Sequence, residues 1–329
     1  MSSVSRPSHA ERGSQNPLDQ ALLKGFDRRL RLVCDHIVSV AHGRTTGLYL
    51  YGAGGLGKSH TIHTELKRLA VPYQSYNSKM SGRGLFDALS LHPSRIHVLE
   101  DAEPLFRDAD ALGVLRSALW GSERNSDGRL ERPVTWYTHT ERCEFVFTGG
   151  ILLTGNREFS SLPELTAIKT RIAYLHLTAS DDEIAAMMRR LALDGYRSAN
   201  EEIVAAKCLE ICDYLVHQCR ELGRSLDLRI LQNSYQDYLQ WFEFQSLSHW
   251  TALVRSRLQA QLGPAERGGM PTRRDEKQEE LDLAHRLRLI RDRQAKLRIW
   301  QQATGKSQSA MYRRIKQVSQ MRVHLSLRM

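Results

Sequence analysis

The stretch GAGGLGKS, residues 52–59, has the residue types and spacing of a phosphate cradle. Gly52, Gly57, Lys58 and Ser59 hold the fixed positions of G-x-x-x-x-G-K-[ST], and Gly54 and Gly55 permit backbone angles closed to other residues. Backbone N–H groups of such a loop converge on phosphate at the start of a helix. Lys58 then reaches the β- and γ-phosphates of a nucleotide, and the Ser59 hydroxyl ligates Mg²⁺. The frame the motif needs is present. GLYLY before it reads as a short apolar strand, and KSHTIHTELKRLA after it carries Ile62, Leu66 and Leu69 at helical spacing. His60 and His63 on that helix read as surface or packing residues.

RIHVLEDAEPLF supplies a second set of groups. Ile96, Val98 and Leu99 make a buried strand, and Glu100 and Asp101 fall at its C-terminal end, where parallel sheets bind ligands. Glu100 is placed to hold Mg²⁺, directly or through water, and Asp101 to orient an attacking water. The usual order is Asp then Glu. Reversed, the water-orienting carboxylate is one methylene shorter and reaches roughly 1.5 Å less far. A misplacement of about 1 Å costs on the order of 10²-fold in rate, so the pair predicts ATP hydrolysis and leaves its rate open, slow turnover being one outcome. Solvated surface acids are the other reading of these residues, and Glu103 fits it better than the pair does.

Three further polar residues close the set. FVFTGGILLTGNRE returns through a hairpin into a strand, GILLT, ending at Gly155 and Asn156. An Asn at this point holds the attacking water and senses the γ-phosphate, or else is a plain turn residue. Arg171 precedes the strand candidate IAYLHL; it projects onto the γ-phosphate of a neighbouring subunit, or else makes a surface ion pair. In GRSLDLRILQNSYQDYL, Ser225 reads as a helix N-cap and Arg229 lies in the first turn, where it contacts phosphate within its own chain or stays a surface residue.

In order and rough spacing, GAGGLGKS, IHVLED, ILLTGN, KTRI and LDLRIL resemble Walker A, Walker B, sensor 1, arginine finger and sensor 2 of an AAA+ ATPase. The resemblance covers about residues 18 to 262. It implies an α/β fold, a P-loop αβα sandwich with a C-terminal α-helical lid, assembled as a homo-oligomeric ring or spiral. ATP and Mg²⁺ are the implied cofactors, bound between the two subdomains and beside the next subunit. The stretch from Tyr76 to Gly121 is also similar to uncharacterised AAA+ proteins of bacteria and their mobile elements.

The elements that must position these groups divide the chain into five parts: 1–17 a disordered tail, 18–178 the nucleotide-binding domain, 179–262 the lid, 263–276 a linker, and 277–329 a basic helical tail. A helix over 19–42 with a stripe of Leu22, Phe26, Leu30, Val33 and Ile37 leads into the first strand. Alternation from Pro133 to Thr148 predicts a β-hairpin. Trp136 and Tyr137 there either touch a threaded chain or nucleic acid, or pack on the sheet. Four helices fill the lid, the first opened by Asp181, Asp182 and Glu183, which favour a helix N-terminus.

Charge separates the tail from the body. The chain has a net charge of +10, and residues 271–329 hold 15 Lys/Arg against 6 Asp/Glu, a surplus of nine. Residues 276–303 read as one long helix; Gly305 ends it and Ser307 caps the next, a helix-turn-helix pattern. Ala310, Met311, Ile315 and Val318 face inward, Trp300 is core, and Ser309, Arg313, Arg314 and Lys316 are free to meet DNA. An ordinary solvated or protein-binding helix pair is the other reading.

No run of 18 apolar residues and no apolar leader is present, so no membrane is expected and the cytoplasm is the default location. Five scattered cysteines, three of them in one helix, read as reduced, with no paired metal-ligand spacing. The leading function is an AAA+ ATPase that oligomerises with ATP and acts on DNA or a nucleoprotein complex, with an unidentified protein partner. A binding switch or loader with little turnover is the alternative. A protein-remodelling unfoldase ranks behind both, because an aromatic-Gly pore loop is not evident.

Overall fold

The computed structural model describes residues 16–77, 80–121, 123–126, 128–159, 163–198, 201–260 and 273–326. The expected N-terminal tail, apart from Asn16 and Pro17, and the expected linker through residue 272 lie outside them. Two compact units are present, one within Gln15–Ala186 and the other within Met187–Met329.

The first unit opens with helix α1, Pro17–Ala41. Asn16 accepts from the Leu18 N–H at 3.0 Å, and Pro17 stands in the first turn, where its missing donor costs nothing. Phe26, Val33 and Ile37 are buried as the stripe predicts, Leu22 and Leu30 are half-buried, and Leu23 is buried as well. Strand β1, Gly47–Tyr51, and helix α2, Lys58–Arg68, flank the glycine loop. Then come β2 Tyr73–Tyr76, α3 Gly82–Leu91, β3 Ile96–Leu99 and α4 Ala109–Ala118. The expected hairpin is β5 Leu130–Tyr137 against β6 Arg142–Phe147, with β4 Glu123–Arg124 added at the β5 edge. β7 Gly150–Gly155, α5 Pro163–Lys169 and β8 Ala173–His176 complete the layer.

Five strands form one parallel sheet in the order β2-β3-β7-β1-β8. β7 is buried at all six positions and lies between β3 and β1, which explains its unbroken apolar run. One face of the sheet carries Tyr49, Leu99, Ile151 and Leu153, packed against Leu85 and Phe86 of α3, Leu115 of α4 and Ile168 of α5. α1 packs on β1, β7 and α2. This is the mixed α/β sandwich the sequence predicts.

Arg132 pins the hairpin to this core. It is 2% exposed and donates to the carbonyls of Ala118, Phe147 and Gly149, with its guanidinium 4.7 Å over the Phe147 ring. No carboxylate is among those partners, and burial holds its pKa down at about 10. Trp136 packs against the core cluster near Phe86, and Tyr137 is exposed.

α6, Asp181–Leu193, leads from the first unit into the second. A two-stranded pair, β9 Tyr196–Arg197 and β10 Glu202–Ile203, precedes three helices: α7 Ala205–Glu221, α8 Leu228–Phe242 and α9 Trp250–Ala260. Cys208, Cys212 and Cys219 are buried along α7 and in no disulfide. The N-cap of α8 is Asp227, whose carboxylate accepts from the Ile230 N–H at 3.0 Å; Ser225, the expected cap, lies two residues outside.

The basic segment is three helices, α10 Arg273–Leu287, α11 Arg293–Thr304 and α12 Gln308–Ser326. The long helix expected over 276–303 is therefore broken between Leu287 and Asp292, and Asp292 caps α11. Folding the two halves together buries Leu287 and Trp300, both fully excluded from water, with Leu281, Ala284, Met311 and Val318. Each large apolar side chain so buried contributes about 1.5–3 kcal/mol, more than a continued helix turn offers. Gly305 ends α11 in the left-handed conformation, at φ 66°, as the sequence predicts.

Candidate phosphate and metal site

The glycine loop turns on backbone that side chains resist. Gly55 and Gly57 have φ of 75° and 78°, and a Cβ on Gly52 would lie 2.1 Å from the Leu177 carbonyl oxygen. Gly54, expected to use the same freedom, is not among the residues with positive φ. Gly57 is also the N-cap of α2, so the first N–H groups of that helix open onto the loop.

Lys58 is buried, and its ammonium donates to the carbonyls of Gly52 and Ala53, both at 2.8 Å, and to Asn156 Oδ1 at 3.2 Å. Asn156 stands at the C-terminal end of β7, next to β1 and β3 in the sheet. Its amide nitrogen donates onward to Asp101 Oδ1 at 3.4 Å. Lys58, Asn156 and Asp101 thus form one chain across three strand ends. Asp101 is exposed and left-handed, at φ 50°, with its N–H on Thr154 Oγ1 at 3.3 Å.

The loop carrying Asn156 is held from several sides. Tyr49 donates its hydroxyl to the Arg157 carbonyl at 2.7 Å and stacks on Phe159 at 4.4 Å, with Phe106 edge-on. Glu103 accepts from the Asn156 backbone N–H, so it is a loop anchor rather than the solvated acid expected. Burial, then the nearby Glu103, pushes the Tyr49 hydroxyl well above its ordinary pKa, which keeps it a donor.

Glu100 is the better-buried acid of the pair, its side chain 16% exposed. Burial pushes its pKa up, but hydrogen bonds from Ser59 and His63, the His63 charge and Ser75 outweigh that and leave it below its ordinary value. It is an ionised carboxylate beside a hydroxyl, an all-oxygen pair that suits Mg²⁺. The Lys58 ammonium, held now by loop carbonyls, faces the cradle where phosphate oxygens would compete for it. The residues present fit both a nucleotide phosphate and its metal.

His63 is not the plain surface or packing residue the sequence suggests, because it touches Glu100. The signal that could have found it is spacing: Ser59 and His63 are four apart on a helix and share one face.

Arg171 lies elsewhere. β8 runs parallel to β1 with Ala173 opposite Leu48, so Arg171 is at the sheet end away from the glycine loop, about 20 Å along the strand direction. Its guanidinium sits 4.8 Å over Trp120 and donates to the Arg116 carbonyl at 3.2 Å. Arg229 is exposed at the second position of α8, in the other unit. Of the tail residues expected to be free, Arg313 and Lys316 are exposed. Arg314 is not: it donates to Glu280 of α10 at 2.7 Å, beside Lys306 on the same buried carboxylate.

Among the described residues no helix is long and apolar enough to cross a membrane, and no cluster of three metal-ligating side chains occurs. No family model and no curated protein matches the chain. Solved structures similar to it include a DNA replication initiation factor (TM-score 0.38, 12% identity, 92% of this chain and 88% of that one). They also include a mutant RuvB of Thermotoga maritima (0.42, 14%, 83% and 79%) and the ADP form of the Aeropyrum pernix ORC2 protein (0.43, 13%, 95% and 88%). Likenesses this distant carry no argument about what the chain does.

Proposed function

We propose that the chain binds ATP with Mg²⁺ and hydrolyses it as an AAA+ ATPase, assembling head to tail and acting on DNA or a nucleoprotein complex in the cytoplasm. The observation that carries this reading is the gathering of Lys58, Ser59, Glu100, Asp101 and Asn156 at adjacent ends of β1, β3 and β7. In it, Gly52, Gly54, Gly55 and Gly57 shape the cradle, Lys58 holds the β- and γ-phosphates, Ser59 and Glu100 hold the metal, and Asp101 and Asn156 orient water. Arg171, remote from its own phosphate loop, acts on the nucleotide of the next subunit, and Arg229 contacts phosphate from the lid. Arg313 and Lys316 supply DNA contacts; Arg314 supports the tail from within.

The test is the ATPase rate of the full chain at several protein concentrations, with and without duplex DNA. Turnover per chain is expected to rise with concentration, to rise again with DNA at low salt, and to fall by at least about 10²-fold in Lys58→Ala. Equal turnover by Lys58→Ala sinks the reading. A second reading, an ATP-dependent switch or loader with little turnover, is favoured by one observation: Asp101 is short, left-handed and already hydrogen-bonded to Asn156. Tight ATP binding with concentration-dependent assembly and negligible phosphate release would support it over the first.

A further inference from the structure

His63 projects from α2 toward the acidic strand end. Its Nε2 lies 2.9 Å from Glu100 Oε1, and its Nδ1 lies 3.3 Å from the Tyr73 hydroxyl. The Ser75 hydroxyl donates to the same Oε1 at 3.3 Å. Tyr73 and Ser75 are two apart on β2 and so point to one side of the sheet, the side His63 occupies. β2 in turn pairs with β3, the strand that ends at Glu100. The His63 side chain is 25% exposed, so most of its surface is given to these contacts.

We infer that His63 is a positioning residue for metal binding: it fixes the Glu100 carboxylate through Oε1, so that the Mg²⁺ shared with Ser59 is met by a carboxylate already oriented. The inference rests on the nucleotide-site reading above and adds the group that aligns the metal ligand. An ionised carboxylate only accepts hydrogen bonds, so Nε2 is the protonated nitrogen. Nδ1 faces the Tyr73 hydroxyl, which can donate to it or accept from it, so the ring is held from both of its nitrogens. His63 and Ser75 together occupy the two acceptor positions of Oε1, which leaves Oε2 for the metal. Without His63 the carboxylate keeps only the weaker hydroxyl contacts and turns more freely about its terminal torsion.

Partners of this kind, one shell outside a metal, change metal affinity by about 10–100-fold when removed. The experiment follows binding of a fluorescent ADP analogue to the full-length chain as Mg²⁺ is titrated, for wild type, His63→Leu, His63→Gln and Tyr73→Phe. Two quantities are read: the Mg²⁺ concentration at half-effect, and the ratio of nucleotide affinities with and without Mg²⁺. His63→Leu is expected to raise the half-effect concentration about tenfold or more and to shrink the ratio. His63→Gln keeps an N–H donor near the place of Nε2 and is expected to recover most of the loss. Tyr73→Phe, which removes one neutral hydrogen bond, is expected to raise it about threefold.

A merely structural role for His63 would weaken nucleotide binding equally with and without metal, leaving the ratio unchanged; that result overturns the inference. Should His63→Leu not fold, Tyr73→Phe decides, and an unshifted Mg²⁺ half-effect there also overturns it. A wild-type chain that binds no analogue at all overturns the nucleotide-site reading itself, an outcome distinct from an unchanged metal dependence.

Discussion

Asp101 is where the turnover question comes down to one side chain. It stands at the end of β3 with φ 50°, a conformation that Asp tolerates better than most residues with a Cβ. Its carboxylate reaches Asn156 at 3.4 Å and stops there. Lengthening it in Asp101→Glu restores roughly 1.5 Å of reach. If reach limits the chemistry, single-turnover hydrolysis rises on the order of tenfold, with ATP affinity little changed. A rate equal to or below wild type removes the geometric explanation and favours the switch. Much of this site is readable from the sequence, because Gly52, Gly57, Lys58 and Ser59 are local in the chain and their spacing is itself the geometry. His63, Glu103 and Tyr49 are not so readable. Their partners lie 37, 53 and 108 residues away, and their residue types are equally at home on a surface or in a core.

At the scale of elements, the basic tail is held by an acid. Glu280 on α10 is 6% exposed and takes Lys306, from the turn before α12, together with Arg314 of α12. Burial pushes its pKa up, but the hydrogen bonds and charges of Lys306 and Arg314 bring it below its ordinary value near 4.5. A carboxylate depressed in the folded state stabilises above its unfolded pKa and loses that contribution as pH falls through the folded value. Glu280→Gln is therefore expected to cost about 2 kcal/mol at pH 7, and the gap from wild type to close as pH falls below about 4.5. Thermal melts of both proteins from neutral to strongly acidic pH read this directly. A gap that is constant across that range rules out the ion pairs as its source. The same contacts show why sequence periodicity misleads in this region. Residues 288–292 hold neither Gly nor Pro, and only the Asp292 cap marks the break. The helix stops because Leu287 and Trp300 bury better folded together, a tertiary preference that local spacing does not carry. Arg314 reads as free in the sequence for the same reason, since its partner Glu280 is 34 residues away.

For the whole molecule, the placement of Arg171 turns a residue into a statement about assembly. The glycine loop follows the C-terminal end of β1, while Arg171 precedes β8 at the other end of the same parallel sheet. One copy therefore presents the glycine loop at one end and a guanidinium at the opposite end, the polarity that the proposed head-to-tail interface requires. The guanidinium is already displayed: Trp120, 61% exposed, supports its face, and the Arg116 carbonyl takes one N–H. If Arg171 serves the neighbour's nucleotide, Lys58→Ala and Arg171→Ala are each inactive alone for different reasons. Lys58→Ala lacks a phosphate site but keeps the arginine; Arg171→Ala keeps the site but lacks the arginine. Mixed in equal amounts and allowed to exchange, they re-form intact interfaces wherever an Arg171→Ala phosphate site meets a Lys58→Ala neighbour. Random head-to-tail assembly makes that about one interface in four, so about a quarter of the wild-type rate is expected from two inactive preparations. If the arginine acted within its own chain, no mixture would recover activity. Measured against each variant alone at the same total concentration, the recovered rate separates a shared site from a self-contained one, whatever the number of subunits in the assembly and whatever it acts upon.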